Sequence, residues 1–200
     1  SGGVVWSASY GGLACLFGDG VEVSGSSTAS GVSRRAGVVT RSELVAALRS
    51  GSGLGHALVF SSDVAGPGFV FPARSSDGRN AAGVRVPVPQ GSRVQLDPSI
   101  DVDRIGSLSP VERVIARTLQ SHGAVLVDSG GARMAFAFEF SAPGGASRVT
   151  APGGASGVTA PGGASGVTGR GKRLPVRDYQ EFSGVPWDRL RVLAPSVSRD

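Results

Sequence analysis

The stretch Ser109-Pro-Val-Glu112-Arg-Val-Ile-Ala-Arg-Thr-Leu-Gln-Ser-His-Gly123-Ala-Val-Leu-Val127 runs a helix straight into a strand. Ser109 is placed to cap the first turn, and Pro110 presets the first helical φ. Glu112 reaches back to the Ser109 amide, which completes a capping box. Val111, Val114, Ile115, Thr118 and Leu119 recur at spacings of three and four, so one face of a helix over 110–122 is buried. Gly123 stops it. Ala124–Val127 is an apolar run of strand length, Asp128-Ser129-Gly130-Gly131 has turn chemistry, and Met134 to Phe140 alternates as a returning strand.

Working outward, the same signals recur. Thr40 and Glu43 form a second capping box, Leu44, Val45 and Leu48 make an apolar stripe, and Gly51 ends a helix over 41–50. Val4-Val5-Trp6 and Leu13–Phe17 are short apolar runs. The latter turns at Gly18-Asp19-Gly20 into Val21-Glu22-Val23, as a hairpin would. Strands are expected at 56–60, 69–72 and 94–96, and loops at 24–37 and 74–83. The pattern predicts a mainly β domain, a two-sheet β-sandwich or jelly-roll-like fold, with the two helices packed on it.

Ala-Pro-Gly-Gly-Ala-Ser recurs at 142–147, 151–156 and 160–165, a nine-residue period. With no large apolar side chain in the unit, the repeat has no face to bury, so 141–173 reads as a flexible insertion inside a single domain spanning 1–200. Beyond it, Tyr179, Phe182, Trp187, Leu190, Val192 and Leu193 are apolar enough to dock back on the core.

A chain of 200 residues suffices for one full core. The net charge is +5, but the arginines are mostly scattered singly, as at Arg49, Arg74, Arg93, Arg113 and Arg133, with Arg34 and Arg35 as a pair. The one basic cluster, Arg170, Lys172, Arg173 and Arg177, has no interleaved aromatics for stacking, so no nucleic-acid partner is expected. No apolar run is long enough to span a membrane. Cys15 stands alone, which excludes an intrachain disulfide, and its neighbours Leu13, Ala14, Leu16 and Phe17 suggest a small buried hydrophobe. No metal-ligand spacing and no cofactor fingerprint is present. Gly51-Ser-Gly53-Leu-Gly55 follows a helix and precedes a strand, the reverse of a dinucleotide loop.

Several stretches, in order, carry a resemblance. They are Trp6-Ser-Ala-Ser-Tyr-Gly-Gly12, Ser42-Glu43-Leu44 leading to His56-Ala-Leu58, and Phe71-Pro72-Ala73 with Ser76-Asp77-Gly78. Pro89-Gln-Gly-Ser-Arg93-Val-Gln-Leu-Asp-Pro98, Leu119-Gln120 to Gly123, Asp128 with Gly130-Gly131, and Pro186-Trp187-Asp188-Arg189-Leu190 complete the set. Together these resemble a group of secreted, largely uncharacterised proteins of actinobacteria and related bacteria. The resemblance implies export, with the signal segment already removed before Ser1, and a cell-surface or polysaccharide-rich setting. It supplies no reaction. The chain departs from that pattern at Arg74-Ser75, where relatives often carry His or Thr, and at Ser129, where they often have Asn or Gln. The His-bearing strand that usually opens the domain in that group is expected to be missing or to lie upstream of Ser1.

Three functions compete. An acid–base hydrolase or lyase would need His56, at a strand mouth, to meet Asp77 or Asp128. A binding module for cell-wall or extracellular polysaccharide would present an aromatic platform, with Trp6, Tyr10, Trp187 and Tyr179 as candidates and Arg74 and Arg93 as further ligand-binding groups. A structural surface protein would do neither. Each candidate also has a plain role: His56 ordering its bend, His122 capping a helix, Asp77 and Asp128 accepting turn amides.

Overall fold

The computed structural model describes residues 11–15, 17–139, 148–150 and 179–194. Strands β1 (Gly12–Ala14) and β2 (Glu22–Gly25) form an antiparallel hairpin. Helix α1 (Arg41–Ser50) follows its capping box, with the Thr40 amide donating to Glu43 Oε1 at 2.9 Å and Gly51 closing it at φ 69°. Next come β3 (Leu58–Ser62), β4 (Ala65–Phe69), β5 (Val88–Gln90) and β6 (Arg93–Leu96). Helix α2 (Pro110–Ser121) leads into β7 (Ala124–Ser129) as its sequence implied. Strands β8 (Ala135–Ala137), β9 (Arg148–Thr150), β10 (Tyr179–Glu181) and β11 (Leu190–Val192) complete the order.

The main sheet is mixed and open, in the order β10-β9-β8-β3-β7-β6-β11, with β3 and β7 parallel at its centre. β4 and β5 pair in a small parallel sheet of their own. Strand alternation decides the layers. Leu58 and Phe60 of β3 join Leu44 and Ala47 of α1, and Val111, Ile115 and Leu119 of α2, in the larger core. Val59 points the other way and meets Val127 and Val32. Because β7 is buried on both faces, it reads as an unbroken apolar run rather than an alternating one. The sheet-rich architecture with helices at 41–50 and 110–121 agrees with the sequence reading.

The 24–37 stretch, expected as a loop, begins with the last two residues of β2 and ends in a 3-10 turn over Arg34–Gly37, and the loop between them covers the Val59 face. Thr28 and Ser30 are buried there, Thr28 Oγ1 donates to the Val32 carbonyl at 2.7 Å, and the Ser30 amide donates to Val127 O at 3.2 Å. Small hydroxyl residues bond their own loop backbone, so the segment stays satisfied without a strand.

At the other end of the chain, Phe182 is fully buried and Trp187 stacks 6.2 Å from Phe136. Asp97 locks this segment down. It accepts from the Ser99 hydroxyl at 2.7 Å, and from Arg189 and Arg191 of the returning chain. The Ser99 hydroxyl and amide, with the two guanidiniums, outweigh burial and hold the Asp97 carboxyl down at about 2.

Three expectations are corrected. Cys15 is exposed, because its apolar run belongs to the small hairpin, where Leu13 is also 65% exposed, and not to the main sheet. The strand expected to open at His56 starts at Leu58, and the one expected over 69–72 ends at Phe69, since a turn begins at Phe71. Arg148–Thr150 lies within the stretch expected to stand apart from the core, yet forms β9 between β8 and β10. The first repeat copy reads Ser-Arg-Val-Thr where the later two read Ser-Gly-Val-Thr. Replacing Gly by Arg ahead of two β-branched residues removes the residue that most weakens a strand. The rest of the repeat lies outside the described residues. Excising one later copy, 151–159, keeps β9 and only shortens its connection to β10. Loop closure then changes by a few tenths of a kcal/mol, and thermal melts should superimpose on those of the parent within error.

Candidate functional site

The parallel pair β3 and β7 delivers its last residues to one sheet edge, with Ser61 opposite Asp128 and Ser62 opposite Ser129. Asp77 arrives there from the long connection between β4 and β5. The neighbouring Gly78 permits this approach, since a Cβ on it would lie 2.1 Å from the Gly66 carbonyl oxygen. Asp77 Oδ1 accepts from Gln90 Nε2 at 2.6 Å and from the Ser129 amide at 3.1 Å, and Oδ2 accepts from Ser129 Oγ at 2.5 Å. Burial would raise this carboxyl, but the bonds from Ser129 and Gln90 prevail and hold it below the ordinary value. Gln90 itself is fully buried, and its amide oxygen has no hydrogen-bond partner among the described residues.

Beside this group is a cleft of about 340 Å³ lined by Ser62, Asp63, Asp77, Arg79 and Ser129, with Ala65 among the small residues of its wall. Ser62 is already committed, its hydroxyl donating to Arg133 O at 2.5 Å. Asp63 Oδ1 is buried and lies 3.6 Å from Arg133 Nε, an ion pair too long for a hydrogen bond. The cleft is thus lined by the carboxylates of Asp63 and Asp77 and by exposed Arg79, over a small-residue wall. That set suits a hydroxyl-rich ligand. Among the described residues, no group of three or more His, Cys, Asp or Glu side chains is arranged to hold a metal ion.

Asp128 sits beside Asp77 but turns to Arg34, whose Nη2 donates to it at 2.7 Å. Burial pushes its carboxyl up, more than Arg34 pulls it down, and the Asp77 charge adds to the rise. This pair ties the 24–37 segment to the sheet.

His56 is elsewhere. Its Nε2 is 2.9 Å from Glu43 Oε1, at the mouth of β3, while Asp128 faces Ser61 near the end of that strand. His56 precedes the first strand residue, Leu58, by two positions, and three strand steps, about 10 Å, then separate Leu58 from Ser61. The structure thus brings Asp77 and Asp128 together and leaves His56 out. Burial works against the His56 proton, but the Ala57 carbonyl and the Glu43 carboxylate prevail and raise its pKa from 6.5. A raised folded pKa means stability that is complete below about 6.5 and lost as pH rises through the folded value. Denaturant melts should show that step, and His56→Gln should flatten it. A parent profile level across the histidine range would show that the pair contributes nothing.

The other candidates have structural employment or lie out of view. Arg93 caps α2, its guanidinium donating to the His122 carbonyl. Trp187 is half-buried and its Nε1 donates to Phe182 O at 2.7 Å, so it is a core anchor and not an exposed platform. Trp6 and Tyr10 lie outside the described residues, as does the Tyr179 side chain. Arg74 is exposed. Sequence reasoning did not single out Asp63, Arg79 or Gln90 as site residues, and noted Ser129 only within a turn and as a departure from the resemblance. A Gln flanked by Pro89 and Gly91 was the one signal on offer. Comparison with models of known protein families, with curated proteins and with solved structures gives no match.

Proposed function

We propose that this chain is an exported, cell-surface or secreted domain that binds carbohydrate in the Asp63/Asp77/Arg79 cleft. The observation that carries the reading is a rigidly held Asp77 carboxylate lining one cleft together with Asp63 and the exposed Arg79. Sugar hydroxyls both donate and accept, so they match such a set. The resemblance to secreted actinobacterial proteins supports the location and the polysaccharide setting. Binding is favoured over acid–base hydrolysis because the histidine stands at the wrong end of β3. A sandwich-like arrangement accompanies this reading, with the β1–β2 hairpin and the 26–33 loop as the layer opposite the helices, supported by the packing of Val32 on Val59 and Val127.

Calorimetric titration with soluble glycan oligomers should give saturable binding to the full chain. Asp77→Asn should weaken it about tenfold or more, the loss of roughly one charge-assisted hydrogen bond. Reducing-end assays should stay at background. Release of reducing ends that depends on Asp77 would favour the hydrolase reading, and binding unaltered in Asp77→Asn would remove the cleft from the function.

A further inference from the structure

Outside the cleft, the β4–β5 layer carries an unusual surface. Phe69 is 51% exposed and Phe71 60% exposed, with half-buried Val70 between them. Isolated exposed apolar residues need no explanation, but two adjacent phenylalanines do. The same layer exposes Arg74, Arg79 and Arg85, and none of the three forms an ion pair among the described residues.

Their placement is linear. The 76–80 segment runs along the start of β4, with Ser76 Oγ donating to Gly66 O and the Asn80 amide to Ala65 O, both at 2.8 Å. Arg79 is therefore at the cleft end of β4. Phe69 ends that strand, about 13 Å further on. Arg74 follows directly after the turn in which the Ala73 amide donates to Val70 O at 2.9 Å. A track thus leads from acidic and basic hydrogen-bonding groups to exposed rings flanked by a cation.

We propose that this track binds an acidic polysaccharide chain, with sugar faces stacked on Phe69 and Phe71 and anionic substituents met by Arg74, Arg79 and Arg85. This rests on the carbohydrate reading of the cleft and adds its ligand class. Ring faces carry negative charge, which attracts the weakly positive C–H faces of a pyranose. The exposed cations select polymers with carboxylate or phosphate substituents and steer their approach. Nucleic acid is disfavoured by the carbohydrate reading of the cleft, and single-stranded RNA is kept as an outcome of the test. A lipid surface fits less well too, since two rings make a small patch beside the broad apolar face that interfacial binding uses.

The test is affinity of the full chain for polygalacturonate, dextran, single-stranded RNA and phosphatidylglycerol vesicles, with Phe69→Ala/Phe71→Ala and Arg74→Gln/Arg79→Gln/Arg85→Gln as variants. All five side chains are exposed, and circular dichroism melts check that the variants fold. Polygalacturonate should bind at least tenfold more tightly than dextran, with the preference falling as salt rises. The Phe pair should lower that affinity about tenfold, and the Arg triple should abolish the salt dependence. Equal affinity for dextran and polygalacturonate would overturn the acidic-ligand proposal and leave the carbohydrate cleft standing. Failure to bind either glycan would overturn both. Tighter Phe-dependent binding of RNA or of vesicles, or a Phe-dependent dimer in sedimentation, would assign the surface to that occupant instead.

Discussion

Glu112→Ala should lower unfolding free energy by about 3–4 kcal/mol, well beyond the effect of Glu43→Ala at the equivalent helix position. Both residues complete capping boxes, and loss of a cap costs about 1 kcal/mol. Glu112 does more. It is buried, its Oε2 accepts from the Ser109 amide at 2.8 Å, and its Oε1 accepts from the Gly184 amide at 2.7 Å. That second bond holds the segment carrying Phe182, Val185 and Trp187 against α2. A hydrogen bond to a charged acceptor contributes about 1.5–3 kcal/mol, and its loss strands a sheltered amide. In a domain of this size each kcal/mol moves Tm by about 2–4 °C, so the two variants should separate clearly in thermal melts. Near-equal losses would mean that the Gly184 contact carries little of the docking energy.

Gly91→Ala is the second large effect, expected to cost about 3 kcal/mol or more. Gly91 turns β5 into β6 at φ +87°, and a Cβ there would lie 1.9 Å from the Val70 carbonyl oxygen. The left-handed conformation alone costs a non-glycine residue about 1–2 kcal/mol. The clash adds displacement of a backbone, which cannot yield as a side-chain tip would. Gly83 supplies the control, since it also has positive φ, +64°, but an added Cβ meets nothing within 4 Å. Gly83→Ala should therefore lose only the conformational part. Because Gly91 follows Gln90, the first variant should also release Asp77 from its amide donor and weaken ligand binding, and the second should not. Matching losses in urea melts would show that the turn relaxes around the new methyl.

Legibility followed locality. Both helices were readable nearly to the residue, because a capping box, a 3.6-residue stripe and a closing glycine all act within a dozen positions. Strand β7 was readable because burial on both faces leaves an unbroken apolar run. Strand β9 was not, since three residues within a glycine-rich repeat become a strand only when β8 and β10 flank them. The site was half-legible. Asp77 and Asp128 were singled out as polar residues in turns, but Asp63, Gln90 and Ser129 had no pattern of their own. His56 looked like a partner for the carboxylates because the parallel pairing of β3 with β7 was hidden, and Trp187, read both as a docking residue and as a platform candidate, is assigned to the first role by its packing on Phe136.

The amino-acid sequence by itself determined the helices, the central strand and the apolar content of the core, through preferences that each segment expresses alone. Tertiary structure alone decided that Asp77 meets Gln90 and Ser129, that His56 is held apart by the length of β3, and that Phe69 and Phe71 face solvent beside exposed arginines. Those outcomes depend on strand register and direction, and register is fixed by which faces are buried against distant segments.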